Sequence, residues 1–414
     1  MERETLAKRK GGIPRGLALR GPTILSYGFR PFFLSAGIFA IASMTLWIGA
    51  LTDGWPLGGD TYGALYWHGH ELLFGYGGAA LAGFMLTAIP NWTGRLPVSG
   101  LPLLGLLLLW LAGRIVMLSP DYFGVYPAAA VDVAFFPALA LLAAIEIIAG
   151  RNWKNLKIVL ALTFLSTVNL AFHVLVVAGS DPQPIFRAAI SGFVMLVAIV
   201  GGRMVPSFTR NWLVKFNPGR LPVPFGRFDG AVVGLSALAL ISWIVAPLNV
   251  ITGAVMALVG VLHLVRLARW AGDRTSRERL LLILHVAYVF VPLGFLLHAL
   301  AVFGALPPSA GIHAWMAGAA GTMTLAVMTR ASLGHTGQAL TASPATQGIY
   351  VAIVAAALAR VAAVAWPAHG DALLHVAACG WVVAFLGFAI AFGPLLAGSN
   401  RRALAIMGVP APAR

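Results

Sequence analysis

The sequence predicts an all-α, polytopic membrane bundle of about 12 transmembrane helices with no soluble domain. Of its 414 residues, 59% are hydrophobic and only 10% are charged, and the mean hydropathy is +0.87. A soluble core cannot bury this much apolar surface. Apolar runs of about 17 to 25 residues, the length that crosses ~30 Å of hydrocarbon, recur along the chain. We therefore treat residues 1–414 as a single integral membrane domain.

Twelve segments meet this length criterion, and short loops join them. They are 32–51, 71–90, 101–118, 125–149, 157–178, 185–205, 229–246, 248–268, 280–303, 311–329, 347–366 and 372–397. The first segment is too long for the core of a signal peptide and lacks an obvious cleavage site, so we expect a spanning helix. The longest loop, about 203–229, separates the sixth and seventh segments. This loop favours a six-plus-six arrangement, although the halves show no convincing sequence repeat.

The charge distribution predicts the topology. The formal net charge is +15, and most Lys and Arg residues fall in the two terminal tails and in alternate loops. These basic loops contain Arg95, 151–157, 203–227, 266–279 and Arg330. Because basic loops remain in the cytoplasm, we expect both termini there and the protein in the bacterial inner membrane. The same placement indicates a lipid bilayer as partner and excludes a nucleic acid.

Histidines are the most informative polar residues. By the predicted topology, His68 and His70 open the second helix from the periplasm. His173 and His298 lie in the outer parts of the fifth and ninth helices, and His313 opens the tenth. Ionisable groups are costly in hydrocarbon, and imidazole is the commonest ligand for haem iron and copper. Five imidazoles at one depth therefore predict a metal or haem site in the periplasmic leaflet.

Each of these histidines also has a structural interpretation. The motif Trp67-His68-Gly69-His70-Glu71 fits metal or haem ligation with Glu71 orienting an imidazole, but also fits interfacial histidines beside a belt tryptophan. His173 and His298 stand among apolar residues, where an inter-helix hydrogen bond is the alternative. The glycines that follow His313 are equally explained by helix packing.

Several other polar groups are expected at membrane depth. Arg114 and Arg187, near the outer ends of the third and sixth helices, are candidate partners for an anion in the outer leaflet. Arg360 falls near the middle of the eleventh helix and must pair or face a cavity. For Asp132 and Asn169, a proton path and inter-helix hydrogen bonds both remain open.

The single cysteine, Cys379, excludes disulfides, iron–sulfur clusters and covalent haem attachment through a CxxCH motif. Any haem must therefore be bound non-covalently. Walker, Rossmann and nucleophile-elbow motifs are absent from any convincing context, which argues against nucleotide-dependent and hydrolytic enzymes of the common types.

Several long motifs together resemble the NnrS family of bacterial inner-membrane proteins. They are YGFRPFF at 27–33, WHGHELLFGY at 67–76 with GFMLTAIPNWTGR at 83–95, GGRMVPSFTRNWL at 201–213 and HAWMAGAAGTMTLAVMTRASLGHTG at 313–337. The resemblance extends over nearly the whole chain, with the motifs in order. It implies a haem- and copper-containing protein associated with denitrification and with relief of nitric-oxide stress.

On this basis we expect a haem-binding protein of nitrogen-oxide metabolism, with copper as a second candidate metal. His70 and His313 are the expected axial ligands of a b-type haem, and Arg114 or Arg187 would pair with its propionates. The candidate cofactor-binding residues are His70, His313, Glu71, Arg114 and Arg187, and the candidate metal ligands are His68, His70, His173, His298 and His313. Catalytic residues stay unassigned.

The expected small-molecule partner is nitric oxide or a related nitrogen oxide. If the protein is an enzyme, it is a haem/copper oxidoreductase, and quinol or a separate protein must donate electrons because no soluble domain is present. One rival is a twelve-helix secondary transporter. Major-facilitator transporters usually carry an Asp and several basic residues in the loop between helices 2 and 3, whereas Arg95 is the only charge in the corresponding loop 91–100, which argues against this rival. Another rival is a metallochaperone that performs no redox turnover.

Overall fold

The protein is described by a computed structural model that covers residues 21–398. Helices dominate the described residues, and no strand occurs among them. The predicted all-α class is therefore confirmed. The two basic tails, 1–20 and 399–414, lie outside the described residues, as do the termini whose cytoplasmic position the charge pattern predicts.

Twelve long helical segments follow one another along the chain. They are α1 (Phe29–Asp53), α2 (Gly59–Thr93), α3 (Leu101–Leu118), α4 (Val125–Ala149), α5 (Trp153–Val177), α6 (Gln183–Phe216), α7 (Arg227–Val245), α8 (Val250–Arg274), α9 (Arg279–Val302), α10 (Ser309–His313, Ala314–Gly321 and Thr322–His335), α11 (Pro344–Ala365) and α12 (Pro367–Ala397). Short turns at Thr23–Leu25 and Pro120–Phe123 complete the described helices.

Eleven of the twelve segments, all except α10, are long and apolar enough to cross a membrane among the described residues. The tenth predicted segment, 311–329, falls on α10, whose apolar run is interrupted by threonines and glycines. The chain is accordingly a polytopic membrane protein. The helices α2 and α9 are the most buried of these eleven. In their membrane-crossing stretches 83% and 72% of the residues are buried inside the bundle, compared with 28–56% in the others.

Two helix boundaries differ substantially from the sequence-based prediction. The second helix begins at Gly59 rather than at residue 71 and has a kink at Gly63 (φ 66°, ψ 165°). It begins there because Asp121 accepts hydrogen bonds from the backbone N–H groups of Asp60 (2.6 Å) and Thr61 (3.4 Å) and so caps a polar first turn. The prediction that His68 and His70 open this helix is therefore wrong, since both lie well inside it.

The other difference removes charges from a predicted loop. The sixth helix continues to Phe216, because an amphipathic pattern buries Val205, Thr209 and Leu213 on one face. The long loop predicted at 203–229 is consequently reduced to residues 217–226. The α-helical part of α8, Val250–Ala268, agrees with the predicted segment 248–268 and contains Arg266, which is fully buried although the charge pattern counted it in a basic loop.

Three of the twelve long helices contain π-helical turns. These are Glu71–Tyr76 in α2, Val197–Gly201 in α6 and Ala314–Gly321 in α10. A π-turn adds a residue to the helical repeat, re-aims the side chains around it and often marks a functional site. All three helices line the internal cavities described below.

The first and the last of the twelve helices pack against each other and close the bundle. Helix α1 packs against both α2 and α12, and α12 packs along α11. Helices α3, α4 and α5 form a group beside α2, whereas α8, α9 and α10 form the opposite group. Trp67, Phe74 and Phe172 are fully buried near α2, and Tyr288 and Trp315 are fully buried near α9. The core therefore lies around these two central helices.

Candidate functional site

Charged and polar side chains from four helices converge inside the bundle. Helix α2 contributes His70 and Glu71, α3 contributes Arg114, α4 contributes Asp132, and α5 contributes Asn169 and His173. All six side chains are at most 5% exposed. We call this group the imidazole–carboxylate cluster. Its helices place it toward the end of the bundle opposite the basic loops.

Two imidazoles and a carboxylate within this cluster face one another. His70 Nε2 lies 3.1 Å and His173 Nε2 lies 3.0 Å from the same atom, Asp132 Oδ2. Ligand atoms of the three residues all lie within 4.8 Å of one another. Ligands at about 2.0–2.1 Å from a tetrahedral ion lie about 3.3 Å apart. A small outward movement would therefore let these three atoms bind one metal ion.

A fourth potential metal-binding atom and two hydrogen-bonding groups surround these three atoms. Asn169 Oδ1 lies 2.9 Å from His70 Nε2. The other ring nitrogens are also paired, because His70 Nδ1 lies 2.8 Å from Glu71 Oε1 and His173 Nδ1 lies 2.7 Å from the Tyr62 hydroxyl. When each Nδ1 donates its proton to these oxygens, each Nε2 is free to bind a metal. Metal-binding histidines commonly have such a partner.

The formal charges of the cluster do not balance. Glu71 and Asp132 supply two carboxylates, and Arg114 pairs with both of them, with its Nη1 lying 2.6 Å from Glu71 Oε1. One negative charge therefore remains, and an uncompensated charge in hydrocarbon is costly. Either a proton on His70 or a bound cation would neutralise it. The geometry of the donor atoms is compatible with both.

Local sequence explains how the cluster is assembled. Asn169 and His173 are four residues apart and so lie on one face of α5. The π-turn of α2 begins at Glu71. At Gly75 a Cβ would lie 2.6 Å from Arg114 Nη1, so a glycine is needed for the guanidinium to reach the carboxylates.

A separate cavity of about 360 Å³ lies between α1, α2, α6 and α10–α12. His68, His313 and Arg360 line it. His313 Nδ1 donates to the Ser309 carbonyl at 2.7 Å, which leaves Nε2 with its lone pair. The His68 ring stacks on Trp47 at 4.3 Å, and its buried Nδ1 has no hydrogen-bond partner among the described residues. We call this space the outer cavity.

The structure divides the predicted site residues among different places. His70, His173, Glu71 and Arg114 lie in the imidazole–carboxylate cluster, and His68 and His313 lie in the outer cavity. The two predicted axial ligands, His70 and His313, thus do not face the same space. Arg114 is paired with carboxylates of the chain itself rather than standing free for a propionate.

Two predicted residues lie in neither place. The His298 ring packs against Trp243 and Trp315 at 4.6 and 4.4 Å, and its buried Nε2 has no hydrogen-bond partner within residues 21–398. Arg187 donates to the Ile244 carbonyl at 3.1 Å. His298 therefore does not join His173, although the sequence places both at a similar depth.

Sequence reasoning assigned no specific role to three residues that the structure places in these sites. Asp132 and Asn169 are recognisable as polar groups at membrane depth, which was the available signal. Tyr62 was missed because it precedes the apolar run from which the second helix was predicted. Arg360 faces a cavity, one of the two environments expected for it.

Comparison with known proteins supplies the family. A family model described as "NnrS protein" matches residues 23–399. No curated protein matches the chain. The His70–Asp132–His173 group fits a metal-binding membrane protein. Since the model matches nearly the whole sequence, the chain belongs to the NnrS family.

Proposed function

We propose that this protein binds haem and a copper-type metal ion in the bacterial inner membrane and acts in nitric-oxide handling or relief of nitrosative stress. The observation that carries the proposal is the convergence of His70, His173 and Asp132 on one point, with each histidine supported at its other nitrogen. Membership of the NnrS family supports the assignment to nitrogen-oxide metabolism.

The donor set of the cluster suits a borderline or soft divalent metal. Imidazole is a preferred ligand for copper, zinc and iron, and a single carboxylate adds negative charge without favouring calcium or magnesium. Glu71 and Tyr62 would hold the two rings in the orientation that binding requires. A bound metal ion would also offset the one negative charge by which the two carboxylates exceed Arg114.

The outer cavity suits a flat anionic cofactor, and we assign the b-type haem to it. His68 and His313 line the same cavity, and Arg360 provides a cation for a propionate. Among the described residues, His68 Nδ1 has no hydrogen-bond partner, and His313 donates from Nδ1 to Ser309, which leaves its Nε2 to bind iron. His68 thus takes the haem-ligand role that the sequence suggested for His70. Haem iron supplies strong affinity for nitric oxide. The chain's own contribution is to orient the imidazoles and to exclude water through an aromatic wall that includes the half-buried Trp47 and the buried Trp381.

The first experiment is purification of the full chain in detergent from haem-replete cells, with a reduced-minus-oxidised spectrum and metal analysis of the same sample. We expect a b-type signal that shifts when nitric oxide is added. His313→Ala should abolish the Soret band. His375→Ala is the matched control, because His375 Nδ1 also donates to the carbonyl four residues earlier but the side chain is exposed.

The outcomes separate the candidate functions. Folded protein without haem or metal would overturn the proposal. A Soret band that survives in both His68→Ala and His313→Ala would overturn the ligand assignment alone. Catalytic consumption of nitric oxide with quinol or a protein electron donor would identify an enzyme, whereas loaded protein without turnover would identify a metallochaperone.

One observation favours the transporter as a second candidate. A narrow space of about 90 Å³ shares Gly77 and Phe193 with the outer cavity and Phe33 and Leu196 with a larger cavity at the basic end. The three spaces therefore follow one another between the helices. Uptake of a labelled small molecule by vesicles containing metal-free protein would support transport, and its absence would leave the haem proposal as the better account.

A further inference from the structure

A cavity of about 670 Å³ lies at the end of the bundle that carries the basic loops. Residues of α1, α2, α5, α6, α9 and α10 line it. Most of its wall is apolar, including Phe33, Phe84, Ile158 and Leu196. This volume lies within the range of small-ligand sites. We call it the basic-end cavity.

Three cations line the basic-end cavity: Lys157, Arg203 and Arg330. Its lining contains no carboxylate among the described residues. None of the three forms an ion pair with a carboxylate in that part of the chain, and Glu278 acts on Arg330 only from beyond ion-pair distance. Positive charge beside an apolar wall, without a paired carboxylate in the described lining, is complementary to a ligand that is both anionic and apolar.

Aromatic rings hold two of these cations in place. The Arg330 guanidinium lies 4.4 Å from the Phe208 ring centroid, and the Arg203 guanidinium lies 5.3 Å from that of Phe225. A cation over a ring keeps its N–H groups available at the edge of the guanidinium plane. The arginines are therefore positioned to donate to phosphate oxygens.

The apolar part of the cavity continues into the bundle. It shares Phe33, Phe84, Leu196 and Val200 with the narrow space of about 90 Å³ toward the outer cavity. An acyl chain whose head group lies beside the three cations would therefore contact apolar residues along its length. A free phosphate ion would leave these walls without contact.

We propose that the basic-end cavity binds one anionic phospholipid, with the phosphate of the head group at Lys157, Arg203 and Arg330 and an acyl chain along the apolar wall. Basic pockets between transmembrane helices on the cytoplasmic side recognise anionic head groups in this way. This site is separate from the imidazole–carboxylate cluster and from the outer cavity, and the inference does not depend on haem or copper.

Native mass spectrometry of the full chain in detergent tests the proposal, with phosphatidylglycerol and phosphatidylcholine of identical acyl chains as probes. The wild type should bind one phosphatidylglycerol in preference to phosphatidylcholine. Each arginine removed should weaken this binding about 5-fold, so Arg203→Gln/Arg330→Gln should weaken it about 25-fold. Arg210→Gln, an exposed position on the same helix α6, should leave it unchanged.

Three results would overturn the proposal. They are equal binding of the two lipids by the wild type, an equal loss in Arg210→Gln, and wild-type phosphatidylglycerol binding by the folded double variant. The double variant must keep the thermal midpoint and metal content of the lipid-free wild type. If it does not fold, phosphatidylglycerol binding is compared between the wild type and the single variants Arg203→Lys and Arg330→Lys. These variants keep the positive charge but lose the planar guanidinium, so they should bind the lipid more weakly than the wild type.

Discussion

Two buried ionic networks lie in this bundle, and they differ in charge balance. The imidazole–carboxylate cluster has two carboxylates for one arginine and two imidazoles beside one carboxylate oxygen. The second network, which we call the Arg266 network, joins α7, α8 and α9. Its members are Asp229, Ser236, His263, Arg266 and Tyr288.

In the Arg266 network the one carboxylate, Asp229, is matched by the fully buried Arg266, with the half-buried Arg269 also 3.8 Å from Asp229 Oδ2. Arg266 Nε donates to Asp229 Oδ1 at 3.0 Å, and its Nη1 donates to the Tyr288 hydroxyl at 2.8 Å and to the Ala198 carbonyl at 2.9 Å. Its one imidazole, His263, pairs with Ser236 and Tyr288. It therefore has neither an excess negative charge nor a second imidazole for a metal. The comparison indicates that burial alone does not mark a metal site, whereas unbalanced carboxylate with converging ring nitrogens does.

The largest expected effect on stability is in the Arg266 network. Asp229→Asn leaves the Arg266 guanidinium buried without its carboxylate, which costs about 3–5 kcal/mol. Thermal unfolding in detergent measures this loss. Metal content per folded protein should stay at the wild-type value, and a selective loss of metal would show that the two networks are not independent.

Asp132→Asn should greatly weaken metal binding and lower stability only slightly, the opposite of Asp229→Asn. The substitution removes a proposed ligand, so metal affinity should fall by about 100-fold or more. The remaining Glu71 and Arg114 charges balance, so the metal-free protein should lose only about 1 kcal/mol. Metal titration and unfolding of chelator-treated protein separate the two effects. Retention of metal at wild-type affinity would favour a protonated His70 as the neutralising group.

Two tyrosines provide a smaller and closely matched test. Tyr62→Phe removes the hydroxyl that supports His173 and should weaken metal binding about 10-fold. Tyr288→Phe removes a buried hydroxyl from the Arg266 network, so it should lower stability by about 1–3 kcal/mol and leave metal affinity unchanged. Equal effects of both substitutions on metal affinity would contradict the assignment of Tyr62.

The smallest expected effect is a dependence on pH at the start of α2. The hydrogen bond from the Thr61 side chain, followed by the backbone N–H groups of Thr61 and Asp60, lowers the pKa of Asp121 below its ordinary 3.8. Its contribution to stability is therefore complete above that ordinary value and is lost as pH falls through the lower folded-state pKa. Thermal midpoints from pH 5 downward should show a small decrease that Asp121→Asn lacks. An identical profile in both proteins would mean that Asp121 does not cap α2.

The sequence predicted the spans well because their signal is local. Apolar length identifies a segment that can cross hydrocarbon, whatever it packs against. The same criterion failed where helix formation depended on a partner. The polar first turns of α2 needed Asp121, and the amphipathic end of α6 needed a surface for Val205 and Leu213.

By itself the sequence determined a polytopic helical membrane protein, its NnrS resemblance and a set of imidazoles at one predicted depth. Only the tertiary structure decided which of them meet. His68 and His70 lie two residues apart, yet one lines the outer cavity and the other joins Asp132 and His173. The physical reason is rotational. Side chains two residues apart on a helix point in different directions, and the π-turn after His70 re-aims the residues that follow, so site membership depends on which neighbouring helix each face meets.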